Sequence, residues 1–148
     1  MAHAQQQVLD RLQALLIAAV AAVDSRVYVH QVDPVPRERL PALLVDEDEA
    51  GESGEPYDVE GHEYRTLIVV IECLAAGGSS PAAVIDLGMQ VEQAIFADVP
   101  LAGMASLEIR RLSSKPLISG EGDALISTRR QTWRFGYAID PLHPDVFL

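Results

Sequence analysis

The residues with the most chemical potential in this chain are carboxylates. Asp46-Glu47-Asp48-Glu49-Ala50-Gly51 begins like a calcium-binding loop, with acids at positions one and three and a glycine at position six. A calcium loop also needs an oxygen donor at position five and a bidentate glutamate at position twelve. Those positions are Ala50 and Tyr57, so the spacing fails where the metal would be held. The histidines, His3, His30, His62 and His143, have no metal-ligand spacing among themselves and no cysteine beside them. Ser79-Ser80 follows two glycines but no lysine comes after, which excludes a phosphate-binding loop, and no G-x-S-x-G elbow occurs. The single cysteine, Cys73, lies in an apolar stretch, where a buried and inert thiol is expected. Neither a catalytic constellation, a cofactor nor a metal is expected.

The carboxylates matter instead as a charge distribution. Nine of the 22 acidic residues fall within the 18 positions Asp46–Glu63: Asp46, Glu47, Asp48, Glu49, Glu52, Glu55, Asp58, Glu60 and Glu63. Six of the eleven basic residues, Arg110, Arg111, Lys115, Arg129, Arg130 and Arg134, fall in the last third. Segregated charge suits a subunit that meets copies of itself, or one that must keep a polyanion from sticking. The net charge of −11 argues against non-specific binding to nucleic acid or anionic membranes.

The elements that carry these charges follow from periodicity. Val8, Leu12, Leu15, Leu16, Ala19, Val20 and Val23 give the stripe of an amphipathic helix over Gln5–Val23. Arg26–Val32 reads as a first strand and Leu40–Val45 as a second. Asp46–Glu63, with Gly51, Gly54, Pro56 and Gly61 as breakers, reads as a long acidic loop. Tyr64–Leu74 is a third strand, and its Leu67–Ile71 core is apolar on both faces, which predicts cover on both sides or from a partner subunit.

A second helix is predicted over about Pro81–Ala97, with Val84, Ile85, Gly88, Val91 and Ile95 as its apolar stripe and Pro100 after its end. Ser106–Leu112 is a fourth strand, Ser113–Asp123 a long connection, and Ala124–Asp140 a fifth strand ended by Pro141 and Pro144. On that fifth strand Trp133, Phe135, Tyr137 and Ile139 share one face, while Thr128, Arg130, Thr132 and Arg134 share the other. The expected fold is α+β and a single domain over residues 1–148. Its order is α-β-β-β-α-β-β, a mostly antiparallel sheet of about four to five strands with two long helices packed on one face.

The Leu15–Val23 run is too short to span a bilayer, and no basic residue precedes it as in a secretory signal except Arg11 at its border. Synthesis in the cytoplasm without export is the resulting expectation.

Several segments together resemble a known family. The Pro41–Val45 strand (P-A-L-L-V) running into acids, the Glu63–Glu72 strand (E-Y-R-T-L-I-V-V-I-E), the Ile85–Ala97 helix and the closing Thr132–Pro141 strand (T-W-R-F-G-Y-A-I-D-P) carry the likeness. In this order the chain resembles the tail terminator proteins of long-tailed bacteriophages, the minor tail protein U-like family and its tail-completion relatives. The resemblance spans nearly the whole chain but rests on element order and texture, with no invariant motif.

It implies a structural, non-enzymatic virion protein, a homohexameric ring capping the head-proximal end of the tail tube. That ring would stop tube polymerisation and present a surface to the head-completion protein, while DNA passes through its centre without specific binding. The family offers no catalytic residues to carry over. A head–tail connector or neck protein of the same virion is the alternative. A small ligand-binding α/β domain and an acidic nucleic-acid mimic are more distant ones.

A ring needs two different, complementary patches on each subunit. Arg110, Arg111, Arg130 and Arg134 are therefore expected at a subunit or partner interface. The acidic segment, Asp46, Glu47, Asp48, Glu49, Glu52, Glu55, Asp58 and Glu60, is expected to face the channel or a neighbouring ring.

Overall fold

A computed structural model describes residues 2–56, 61–120 and 124–148. Helix α1 (Ala4–Ala19) starts where His3 accepts the Gln5 amide on its ring, and it buries Val8, Leu9, Leu12, Leu15 and Leu16. A short 3-10 turn at Ala21–Val23 finishes the stripe expected of one continuous helix and brings Val23 into the core. Strands β1 (Val27–Val29), β2 (Ala42–Pro56) and β3 (Glu63–Ala76) follow, with a 3-10 turn at Arg37–Arg39 between the first two. Helix α2 (Ser80–Ala97) carries Pro81 in its first turn, where a missing amide hydrogen costs nothing. A six-residue helix, α3 (Val99–Met104), then precedes β4 (Glu108–Ser119), β5 (Ile126–Asp140) and β6 (His143–Phe147).

The fold is α+β, with a mixed six-stranded sheet in the order β1-β2-β3-β5-β4 and β6 pairing with β5. Among the described residues only the β1–β2 pairing is parallel. Both long helices lie against one sheet face and share its core with Leu43, Val45, Leu67, Val69, Ile71, Trp133, Phe135, Tyr137 and Ile139. The alternation expected on the fifth strand is observed, since Trp133, Phe135, Tyr137 and Ile139 are fully buried. The other face carries no helix, and Ile68 and Val70 are only half-buried there. Among the described residues β3 is thus covered by this chain on one side alone.

One polar group sits inside the core. Gln131, buried between α2 and the sheet, donates from Nε2 to the Gly88 carbonyl at 3.0 Å and accepts from Trp133 Nε1 at 3.1 Å. A Cβ at position 88 would lie 2.9 Å from that Nε2, so glycine is what lets the helix approach.

Two expectations are corrected. The acidic stretch is strand rather than loop as far as Pro56, where β2 pairs with β3 from Ala42↔Leu74 to Pro56↔Glu63; residues 57–60 lie outside the described residues. Its acids and glycines have poor strand propensity, but β3 supplies a full-length partner, and Gly51 at φ +58 lies in the register shift between Glu47 and Glu52. The connection read at Ser113–Asp123 is strand to Ser119, again because β5 pairs it throughout. Two elements were not foreseen. Pro100 follows the end of α2 as expected, and it also stands in the first turn of the short helix α3. The chain beyond Pro141 returns as β6 despite Pro144, which an edge strand tolerates.

Candidate assembly surface

The sheet has two long free edges of opposite charge. β1 reaches only Val45 on β2, so among the described residues the rest of β2, from Asp46 to Pro56, has no strand outside it. That segment holds six acids and no base. At the opposite side β4 is terminal, and its Glu108–Ser119 span holds Arg110, Arg111 and Lys115 against the single acid Glu108.

The acids of β2 divide by the face they occupy. On the core face Glu52 is held within the chain. Arg65 donates from Nε to Glu63 at 2.8 Å and from Nη1 to Glu52 at 3.1 Å, and Nη1 also lies 3.1 Å from His3 Nε2. The Tyr137 hydroxyl donates to the second oxygen of Glu52. Side-chain exposure of Glu52 and Arg65 is 14% and 17%, so this pair is largely desolvated. Glu47 lies nearby with Oε1 shielded from water and without a hydrogen bond. Burial, followed by the Glu52 contact, raises the Tyr137 pKa above the usual phenol range. The group therefore stays a neutral donor rather than an activated base.

On the open face Asp46 Oδ1 meets His30 Nδ1 at 3.0 Å, and Asp48 accepts the Ala50 amide at 3.0 Å. Glu49 and Glu55 are exposed. Asp58 and Glu60 lie outside the described residues. Successive residues of a strand point to opposite faces, so Asp46–Gly51 does not wrap around a cation as a calcium loop would. Among the described residues no three His, Cys, Asp or Glu side chains converge as metal ligands would.

The arginines are placed as the alternation predicts, with Arg110, Arg130 and Arg134 on the open face. Three of the four have partners in their own chain. Arg130 Nη2 meets Glu72 at 2.8 Å, Arg134 Nη1 meets Glu108 at 3.3 Å, and Arg111 pairs with Glu92 of α2. Glu72 pairs across from Arg130 in the β3–β5 ladder. Arg110 is exposed.

A second feature was missed by the sequence reading. Beside β4 the helix layer stops at α2, leaving a groove of about 340 Å³ over β4 and β5 that includes Ile85, Met89, Arg111 and Arg129 in its lining. Arg129 Nε is shielded from water yet makes no hydrogen bond among the described residues. Ile85, Met89 and Phe96 are 57%, 48% and 61% exposed and form a second apolar stripe along α2. Ile85 was expected on the core-facing stripe, but Val84, Leu87, Gly88, Val91 and Ile95 fill that face and turn Ile85 outward. The signal was present in the sequence: apolar residues at 85, 89 and 96 widen the helix's apolar arc beyond what one sheet can cover.

Burial pushes the Cys73 thiol up to about 12, which keeps it protonated and unreactive. No helix among the described residues is long and apolar enough to cross a membrane. No protein-family model matches the chain, and no curated protein does.

Proposed function

We propose that this chain is a structural ring subunit, a tail terminator that caps the head-proximal end of a bacteriophage tail tube. It stops tube growth and offers a joining surface to the head-completion protein. The observation that carries the reading is the exposed stripe Ile85, Met89 and Phe96 beside the free edge of β4. An apolar stripe next to an unpaired strand is a liability for an isolated molecule and an asset for one that assembles. Two dissimilar edges support a ring in particular, because a heterologous contact joins different surfaces and closes when the rotation allows. The net charge of −11 supports passage of DNA, since such a surface does not hold phosphate.

The test is light scattering or mass photometry of the purified chain, alone and mixed with tube protein, followed by imaging of the labelled subunit in the virion. A discrete ring that shortens tube assembly and sits at the tube's head-proximal end is expected. A persistent monomer indifferent to tube protein would refute the proposal. A label in the neck above the tube would favour the connector alternative.

A further inference from the structure

We infer that the basic β4 edge and the α2–β4 groove of one copy receive the acid-rich β2 edge, Asp46–Pro56, of a second copy. The inference rests on the ring reading and gives it a definite interface.

Charge on a free strand edge has an ordinary purpose, which is to stop edges from pairing indiscriminately. Here the two edges are blunted with opposite signs: six acids and no base on β2 beyond Val45, three bases and one acid on β4. Two acidic edges repel, and so do two basic edges. Only the unlike pair attracts, so charge selects head-to-tail addition and rejects the symmetric dimer.

Solubility alone would not put an apolar stripe next to the basic edge. Ile85, Met89 and Phe96 line that side of α2, and Leu117 and Ile118 at the far end of β4 are 63% and 55% exposed. Between the two, Arg129 keeps Nε out of water without a hydrogen-bond acceptor among the described residues. A carboxylate entering the groove would supply one, and Glu49 and Glu55 are exposed carboxylates on the β2 edge, as is Asp46, which meets His30. Glu52 and Glu63 are already engaged by Arg65, which holds the β2–β3 hairpin in shape for docking.

Two charge reversals in the full chain test this. Variant one carries Arg110→Glu and Lys115→Glu, and variant two carries Glu49→Lys and Glu55→Lys. Alone, each brings like charges together and should raise the concentration needed for assembly by about tenfold or more. Mixed in equal amounts they should assemble again, because every contact then joins unlike edges. That recovery also shows that both variants fold.

A photo-crosslinker at Met89, in a mixture of isotopically light and heavy chains, should capture the Asp46–Pro56 segment of the other isotope. Variants that assemble like the wild type, or a mixture that stays dissociated while the wild type forms rings, would overturn the edge pairing and leave the ring reading standing. Capture of tube protein by the Met89 probe, with no second copy, would overturn the assignment of the groove. A wild-type chain that never assembles would remove both conclusions.

Discussion

The two edges of the sheet are both long strands without an outer neighbour, yet they are finished differently. At the β2 edge the core-facing side chains form a closed polar cluster, in which Arg65 serves Glu52 and Glu63 and Tyr137 takes the remaining oxygen of Glu52. At the β4 edge the helix layer ends early, an apolar stripe faces water, and a guanidinium nitrogen has no acceptor. Among the described residues each edge shields one polar atom without a hydrogen bond, Glu47 Oε1 on the acidic side and Arg129 Nε on the basic side, but only the basic edge also leaves an apolar stripe open to water. A high density of charge in the sequence therefore does not by itself identify a binding surface. What distinguishes one is unfinished packing beside the charge, where a partner can gain contacts that the lone chain lacks.

The sharpest test of the closed cluster is Arg65→Met. It strands two largely desolvated glutamates, so a loss of about 3 kcal/mol in urea unfolding is expected. A loss below half a kcal/mol would mean that the acidic edge is not held as described.

Next is the ion pair that joins α1 to α3, in which Arg11 grips both oxygens of Asp98 at 2.9 and 2.6 Å while Asp98 accepts the Leu101 amide. Asp98→Ala removes the cap and the pair, and should cost about 2 kcal/mol at neutral pH. The Arg11 hydrogen bond is the main reason the Asp98 pKa lies below the usual carboxylate range. Its contribution is therefore full above the unfolded carboxylate value of about 3.9 and fades as pH falls through the lower folded value. Wild type and variant should converge in acid unfolding; a gap that held constant from pH 7 to the acid limit would contradict this assignment.

Tyr137→Phe deletes one hydrogen bond to Glu52 and should cost about 1 kcal/mol, measured the same way. The smallest expected effect on stability is at the other edge. Ile85→Ser and Met89→Ser should change the unfolding free energy by no more than about 0.5 kcal/mol while weakening self-association. Serines there that destabilise the monomer strongly would show the stripe to be core, and the contrast between the edges would disappear.

Much of the architecture could be read from periodicity. α2 begins and ends within a residue of expectation, and β5 declares its buried face through Trp133, Phe135, Tyr137 and Ile139. Local pattern failed where a partner strand imposed the conformation. Asp46–Pro56 is rich in turn-forming residues and is still a strand, because β3 pairs with it across the sheet. The candidate residues show the same division. Alternation placed Arg130 and Arg134 on the open face, but their partners Glu72 and Glu108 lie far away in sequence and meet them only through the sheet register. Arg65 was not singled out at all, since one arginine in an apolar strand has no periodic signature.

The buried Gln131 amide has a consequence beyond core packing. Its oxygen accepts from Trp133 two residues along the same strand, which orients the amide, and its nitrogen reaches across to the Gly88 carbonyl on α2. The distance between helix and sheet, and with it the width of the groove beside them, is therefore fixed at this point by one directional bond from an oriented amide as well as by side-chain packing. A cleft held at a fixed width needs little reordering when it is filled. Less of the binding free energy is then lost to conformational entropy, and weak contacts repeated around a ring are enough to keep it closed.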